Sequence, residues 1–302
     1  MTPSSIIVPC VWLNDQAEPA AAFYQRTFAG SQVTAISHYP ESADNPGGLP
    51  RGSILTVEVA IGDLRLTLLN GGPQFSPNTT ISFFVHVGTT AEAERLFAIL
   101  REGGESLMEL GTYPWSQRYG WVRDRFGVSW QVITGERAPG AAMIVPCLMF
   151  SGPQSGRAEA AMGQYTRIFP DSRIDAVERY TAGEGPEGGV KHGRFTLGDQ
   201  EMIAMDSHVS HDMTFNEGLS LQVICKDQNQ IDRTWAALGD GGQPGPCGWL
   251  KDRFGLSWQL VPKEIGQWMS SNDVQARDRA FAAMMKMTKP DVATLTRAFA
   301  GG

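Results

Sequence analysis

The feature that most limits how this chain can fold is that it repeats itself. Trp121-Val-Arg-Asp-Arg-Phe-Gly-Val-Ser-Trp-Gln-Val132 returns as Trp249-Leu-Lys-Asp-Arg-Phe-Gly-Leu-Ser-Trp-Gln-Leu260, with nine positions identical or exchanged like for like in charge. Upstream, Ile7-Val-Pro-Cys10 returns as Ile144-Val-Pro-Cys147, and Tyr24-Gln-Arg-Thr-Phe28 as Tyr165-Thr-Arg-Ile-Phe169. Gly62-Asp63 matches Gly198-Asp199, and Gly103-Gly104 matches Gly241-Gly242. The order is the same in both halves, so the chain is a duplication. The seam is the polar Gly/Pro stretch Gly135 to Ala142, which suits a linker. This predicts domains over 1–137 and 143–262, followed by a helical tail over 263–302.

Within the first repeat, the apolar run Ile6–Leu13 reads as a strand. Ala17–Phe28 reads as a helix, with Ala20, Phe23, Tyr24 and Phe28 at helical spacing. Gln32–Tyr39, Ser53–Ile61 and Leu64–Leu69 read as strands, the last two joined by a tight turn at Gly62-Asp63. The cycle then restarts. Thr80–Val87 is a strand, Ala91–Arg101 a helix ended by Gly103-Gly104, and two short strands flank the turn Asp124–Gly127. Each repeat is therefore two βαβββ units, and the chain holds four. The expected class is α+β: tandem domains of curved mixed sheets plus the tail. In the tail, Phe281, Met284, Met285 and Thr288 share one helical face, with Leu295 and Phe299 beyond Pro290. Asp273 and Asp291 are the predicted N-caps. This Met-rich face is expected to dock on the body or on a second subunit.

Composition narrows the function classes. The 25 basic and 32 acidic side chains give a net charge of −7, which argues against a nucleic-acid binder. No run of about 18 apolar residues is present, so no membrane span is expected. Met1–Asn14 has no basic region ahead of its apolar stretch, so no signal peptide is read and a cytoplasmic location is expected. Cys10, Cys147, Cys225 and Cys247 match no zinc spacing and have no neighbouring His in sequence, so they read as buried small apolar residues.

The four βαβββ units, the Phe23-Tyr24 and Gln164-Tyr165 helix ends and the paired hairpin motifs resemble the vicinal oxygen chelate superfamily. Phe169-Pro-Asp-Ser172, Gly185-Pro-Glu-Gly188, Cys247–Gln259 and the tail are similar to the PhnB-like, 3-demethylubiquinone 3-methyltransferase-like family. The likeness covers the second repeat and tail closely and the first repeat more loosely. Methyl transfer from S-adenosylmethionine calls for a Gly-rich turn between a strand and a helix N-terminus. The Gly clusters here follow helices or sit in hairpins, so the resemblance is taken as one of fold and not of that reaction.

The resemblance also implies where a divalent metal would be held: His on the first and fifth strands, Glu on the fourth and last. Those positions fall on Val8 and Val145, near Thr67 and Ile203, near Ser82 and Ser220, and on Gln131 and Gln259. Valine and isoleucine cannot ligate, and neutral Ser and Gln are poor ligands alone. No cofactor is therefore predicted. A noncanonical metal through the loop residues Asp206, His208 and His211 is the alternative. Strand alternation from Val8 then gives a cavity lining. It comprises Cys10, Trp12, Thr67, Ser82, Phe84, His86 and Gln131 from the first repeat. From the second it takes Cys147, Met149, Met205, Ser220, Gln222 and Gln259. Thr67, Ser82, His86 and Gln131 are the polar groups expected to meet in one apolar pocket. Trp130 and Trp258 point the opposite way, into the core. Arg125 and Arg253 are expected to pair with the adjacent Asp124 and Asp252. No paired carboxylates and no nucleophile with an adjacent base appear.

Three functions stay open: a small-molecule binder without the metal quartet; a noncanonical metal-dependent lyase, isomerase or dioxygenase; and a non-catalytic scaffold or regulator. Relatives resembling one repeat pair as dimers, so the fused chain is expected to be an internal pseudo-dimer, with the tail open to a homodimer contact.

Overall fold

The computed structural model describes residues 5–135, 140–185, 187–207 and 213–302. Residues 136–139 of the linker reading at 135–142 lie outside the described residues. The first unit comprises β1 (Ile7–Leu13), α1 (Ala17–Thr27), β2 (Gln32–His38), β3 (Ile54–Ile61) and β4 (Leu64–Asn70). The second comprises β5 (Ile81–Val87), α2 (Thr90–Leu100), β6 (Glu105–Tyr113), β7 (Ser116–Arg123) and β8 (Ser129–Thr134). The third comprises β9 (Ile144–Phe150), α3 (Ala158–Ile168), β10 (Arg173–Arg179), β11 (Val190–Leu197) and β12 (Gln200–Asp206). The fourth comprises β13 (Leu219–Cys225), α4 (Gln228–Gly239), β14 (Gln243–Pro244), β15 (Trp249–Lys251) and β16 (Ser257–Pro262). The tail forms α5 (Ile265–Met269), α6 (Val274–Met284) and α7 (Val292–Ala300).

The chain is an α+β fold of two eight-stranded mixed sheets. Sheet A runs β14-β15-β16-β13-β1-β4-β3-β2, and sheet B runs β10-β11-β12-β9-β5-β8-β7-β6. Each sheet joins one unit from each repeat, through the antiparallel pairs β1 with β13 and β5 with β9. The helices follow the repeats instead. Helix α1 lies on β3 and β4 and meets α2, which lies on β7 and β8; α3 lies on β11 and β12 and meets α4, which lies on β15 and β16. One apolar core joins both sheets through these helix pairs. The boundaries 1–137 and 143–262 thus delimit sequence repeats whose strands pair across the boundary.

The repeated motif has a physical purpose in the core. Asp124 is buried, and its Oδ2 accepts hydrogen bonds from Tyr24 Oη and Trp130 Nε1, both at 2.9 Å. Its Oδ1 accepts from the Phe126 and Val128 amides at 2.8 and 3.0 Å. Asp252 repeats the arrangement with Tyr165 at 2.6 Å, Trp258 at 2.9 Å and the amides of Phe254 and Leu256. Such a turn requires a residue in left-handed conformation, supplied by Gly127 at φ 84° and Gly255 at φ 82°. Trp130 and Trp258 are fully buried. The expected Asp124–Arg125 and Asp252–Arg253 pairs do not form, because four donors already occupy each carboxylate. Arg125 turns instead to the Glu102 carbonyl and carboxylate, and Arg253 to those of Asp240.

The tail folds back on the body. Asp273 and Asp291 cap α6 and α7 by accepting from the amides of Ala276 and Thr294. Trp268, Met269, Ala280, Phe281 and Leu295 form a small core with Tyr39 from the end of β2. Met285, expected on the buried face, is instead 37% exposed because α6 ends at Met284. The tail also ties together the two outer edges of sheet A. Asp278 accepts from the Glu41 and Ser42 amides beyond β2. At the far edge, the Met287 and Thr288 carbonyls accept from the Cys247 and Gly248 amides, both at 2.8 Å. In sheet B that edge is made by β6, whose Gly111 pairs with Tyr119, the counterpart of Cys247. The tail therefore replaces strand pairing where β14 and β15 are short.

Candidate functional site

Residues opposite one another in paired strands share a face, so register shows which predicted side chains meet. In sheet A, Cys10 lies opposite both Thr67 and Ser220, and Gln222 opposite Val8 and Gln259. Trp12 lies opposite Leu69 on the same face. Thr67 Oγ1 donates to Gln222 Oε1 at 2.8 Å, Gln222 Nε2 to Gln259 Oε1 at 3.3 Å, and Gln259 Nε2 to Ser220 Oγ at 2.8 Å. Trp12 packs edge-on against Phe75 and Trp249 and donates from Nε1 to the Gly72 carbonyl.

In sheet B, Cys147 lies opposite Ser82 and Ile203, Phe84 opposite Val145 and Gln131, and Met149 opposite Met205. His86 lies opposite Ile133, and its ring stacks at 6.2 Å from that of Phe84. Gln131 Nε2 donates to Ser82 Oγ at 2.8 Å, and Tyr119 Oη donates to Gln131 Oε1 at 2.5 Å. The pocket expected to combine Thr67 with Ser82, His86 and Gln131 does not form. Thr67 belongs to sheet A and the other three to sheet B, because each unit pairs with a unit of the other repeat. The two implied metal positions regroup accordingly: Val8, Thr67, Ser220 and Gln259 on one sheet, Val145, Ile203, Ser82 and Gln131 on the other.

Sequence reasoning missed the long β6–β7 hairpin and the aromatic wall it brings. Tyr113 stacks on Trp115 with centroids 5.1 Å apart, and both meet Tyr119 edge-on. Trp121 lies opposite Gln131 and donates to Ser129 Oγ. The alternation of aromatic residues at 113, 115, 119 and 121 was the available signal. Together Phe84, Tyr119, Val145, Cys147 and Ile203 form a buried apolar floor, bordered by Met108, Tyr113, Trp121, Ile133 and Met205. Trp115 is 56% exposed at its rim.

The electrostatics disfavour charge here. Burial pushes the Cys10 and Cys147 thiols up to about 12, so neither offers a thiolate near neutral pH. Burial also lowers the pKa of His192, whose ring lies edge-on to Phe84, and so favours the neutral imidazole. The four positions of each implied metal set do not fit a divalent ion. One is always Val, and the Ser and Gln groups are bonded to each other. Among the described residues no group of three or more His, Cys, Asp or Glu could hold a metal. His208 and His211 lie outside the described residues. Asp206, their proposed partner, is buried, with one oxygen accepting from the Ala158 amide and the other from Val190.

The family model described as 3-demethylubiquinone-9 3-methyltransferase matches residues 5–133 and again 142–261, so the chain belongs to that family. Each match spans one repeat. Glyoxalase I from Zea mays is 13% identical, with a TM-score of 0.52 over 85% of this chain and 91% of its own. That likeness is to the fold alone: the chain shares the glyoxalase-like fold. The PhnB protein from Bacillus cereus is 27% identical over 45% of this chain and 98% of its own, with a TM-score of 0.37. The lactoylglutathione lyase from Agrobacterium tumefaciens is 17% identical over 45% and 96%, with a TM-score of 0.29. None of the curated proteins matches this chain. Among the described residues no helix is long and apolar enough to cross a membrane.

Proposed function

We propose that this chain binds a small, planar, mainly apolar organic molecule on the face of sheet B lined by Phe84, Gln131 and Cys147, and does so without a metal. The observation that carries this is the pairing of a buried apolar floor with an aromatic wall that reaches solvent at Trp115. Sites for small molecules combine apolar lining with a few fixed polar groups, and Ser82, Gln131 and Tyr119 supply these. Sheet A carries a related polar chain, but the tail braces its edges. Methyl transfer is not part of the reading. The segments ahead of α1, α2 and α4 are Asn14–Gln16, Gly88-Thr89 and Lys226-Asp227, none of them Gly-rich; the segment ahead of α3, Ser151–Arg157, carries Gly152 and Gly156, but a 3-10 turn over Gly152–Gln154 fills it.

Titration with 2-naphthol, followed by quenching of tryptophan fluorescence, tests this. Aromatic pairing is worth about 0.5–1.5 kcal/mol, so Trp115→Ala weakens binding by about two- to twelvefold. Dialysis against EDTA leaves the affinity unchanged. Wild-type affinity in Trp115→Ala refutes the site, and loss of binding after EDTA refutes the metal-free reading.

A further inference from the structure

The duplication makes each repeat a control for the other, and one place on the helical side breaks the match. A cleft of about 930 Å³ lies between the C-terminal end of α3 and α4. Its apolar surface comes from Ile6, Ile168, Phe169, Ile224 and Ala237. Arg167, Lys226 and Arg233 line it as well.

In the first repeat larger side chains stand at the corresponding positions, and its arginines are bonded across to the neighbouring helix. Helix α2 presents buried Leu96 and packed Ile99. Aligning the two N-caps, Thr89 and Asp227, puts Thr234 and Ala237 of α4 at those positions. The smaller side chains leave space. Glu102 in the first repeat pairs with both Arg26 and Arg125, at 3.2 and 3.3 Å. Its counterpart Asp240, one methylene shorter, pairs with Arg253, the counterpart of Arg125. Arg167, the counterpart of Arg26, forms no ion pair among the described residues. Arg95 donates to the Thr27 carbonyl at 3.2 Å, whereas its counterpart Arg233 bonds back to Asn229 O on its own helix. Lys226 stands where the first repeat has Gly88.

The same cleft holds two carboxylates, Asp171 and Asp199, and neither is within ion-pair distance of the three cations. Three cations less two carboxylates leave +1 in a chain of net charge −7. A cation released from its partner beside newly opened apolar space is the arrangement an amphipathic anion requires. Guanidinium groups match the planar fork of carboxylate or phosphate.

We propose that the α3–α4 cleft is a second ligand site, for an organic anion with an apolar body and a phosphate or carboxylate head. The head is held by Arg167 and Arg233, with Lys226 adding charge, and the body lies on Ile6, Phe169, Ile224 and Ala237. The proposal is independent of the sheet B reading.

Isothermal titration of the full chain with phenyl phosphate, octanoate and inorganic phosphate tests it. Phenyl phosphate or octanoate binds, the preferred one naming the head group, and inorganic phosphate binds more weakly than the preferred probe because it lacks the body. The double variant Arg167→Gln/Arg233→Gln loses about tenfold or more in affinity while its thermal unfolding matches wild type, since both side chains are exposed. Thr234→Leu/Ala237→Ile restores the first-repeat side chains and abolishes binding. Trp115→Ala leaves binding unchanged. Silence of all three probes at millimolar concentration overturns the proposal. So does wild-type affinity in the Arg double variant, which stays informative whether or not the filled variant folds.

Discussion

Replacing Tyr24 by Phe removes one hydroxyl from the most tightly specified point of the core, and its cost depends on pH in a way the geometry fixes. Tyr24 Oη donates at 2.9 Å to Asp124 Oδ2, and both residues are buried. A hydrogen bond to a charged group is worth about 1.5–3 kcal/mol and a neutral one about 0.5–1.5 kcal/mol. Burial raises the Asp124 carboxyl to about 6, although Trp130, Tyr24 and two amides pull it down. The folded state therefore holds this proton more tightly than the unfolded chain does. That contribution to stability is fully present below the ordinary carboxyl value near 4, and is lost as pH rises through about 6. Tyr24→Phe deletes one of the bonds that favour the carboxylate, so its destabilisation is greatest where Asp124 is charged. We expect a loss of about 1.5–3 kcal/mol at pH 7.5, falling to about 0.5–1.5 kcal/mol at pH 4.5. Urea unfolding followed by tryptophan fluorescence at both pH values measures it. An equal loss at the two pH values refutes the assignment of a charged acceptor, and a loss under about 0.5 kcal/mol at pH 7.5 refutes the bond's contribution.

Two further perturbations probe the tail and the hairpin. Phe281→Ala leaves a cavity against Tyr39, whose ring centroid is 6.0 Å away, and costs about 3–5 kcal/mol, seen as a fall in Tm of the full chain. Gly104→Ala would place a Cβ 2.2 Å from the Arg123 carbonyl oxygen, as Gly242→Ala would at Lys251. Each forces the backbone of the adjacent turn apart and costs about 1–3 kcal/mol, readable by the same thermal scan.

Local features were legible in the sequence because short-range chemistry decides them. The helices, the hairpin at Gly62-Asp63 and the caps Asp273 and Asp291 follow from periodicity and from side chains that reach their own backbone. The pairing of β1 with β13 was not legible. Any βαβββ unit offers the same exposed edge strand to any other, and local periodicity does not say which partner takes it. For the same reason alternation correctly grouped Cys10 with Thr67 yet could not keep Thr67 apart from Ser82. Asp124 was visible as an acid, but of its four donors one, Tyr24, sits a hundred residues away and the others are two amides and an indole of its own hairpin, so Arg125 looked like the obvious counterion. The α3–α4 cleft depended on differences of one to three carbons between repeats, at Glu102 and Asp240 or Ile99 and Ala237. Such differences gain meaning once the two helices are placed in equivalent surroundings.

Because each sheet borrows a unit from each repeat, the two faces are chemically free of one another. In a pair of identical subunits, a substitution that reshapes one face must appear in its twin as well. Here a single substitution touches one sheet and spares the other. Trp115 can present an aromatic rim on sheet B while the tail closes the edges of sheet A, and neither change has to be tolerated twice.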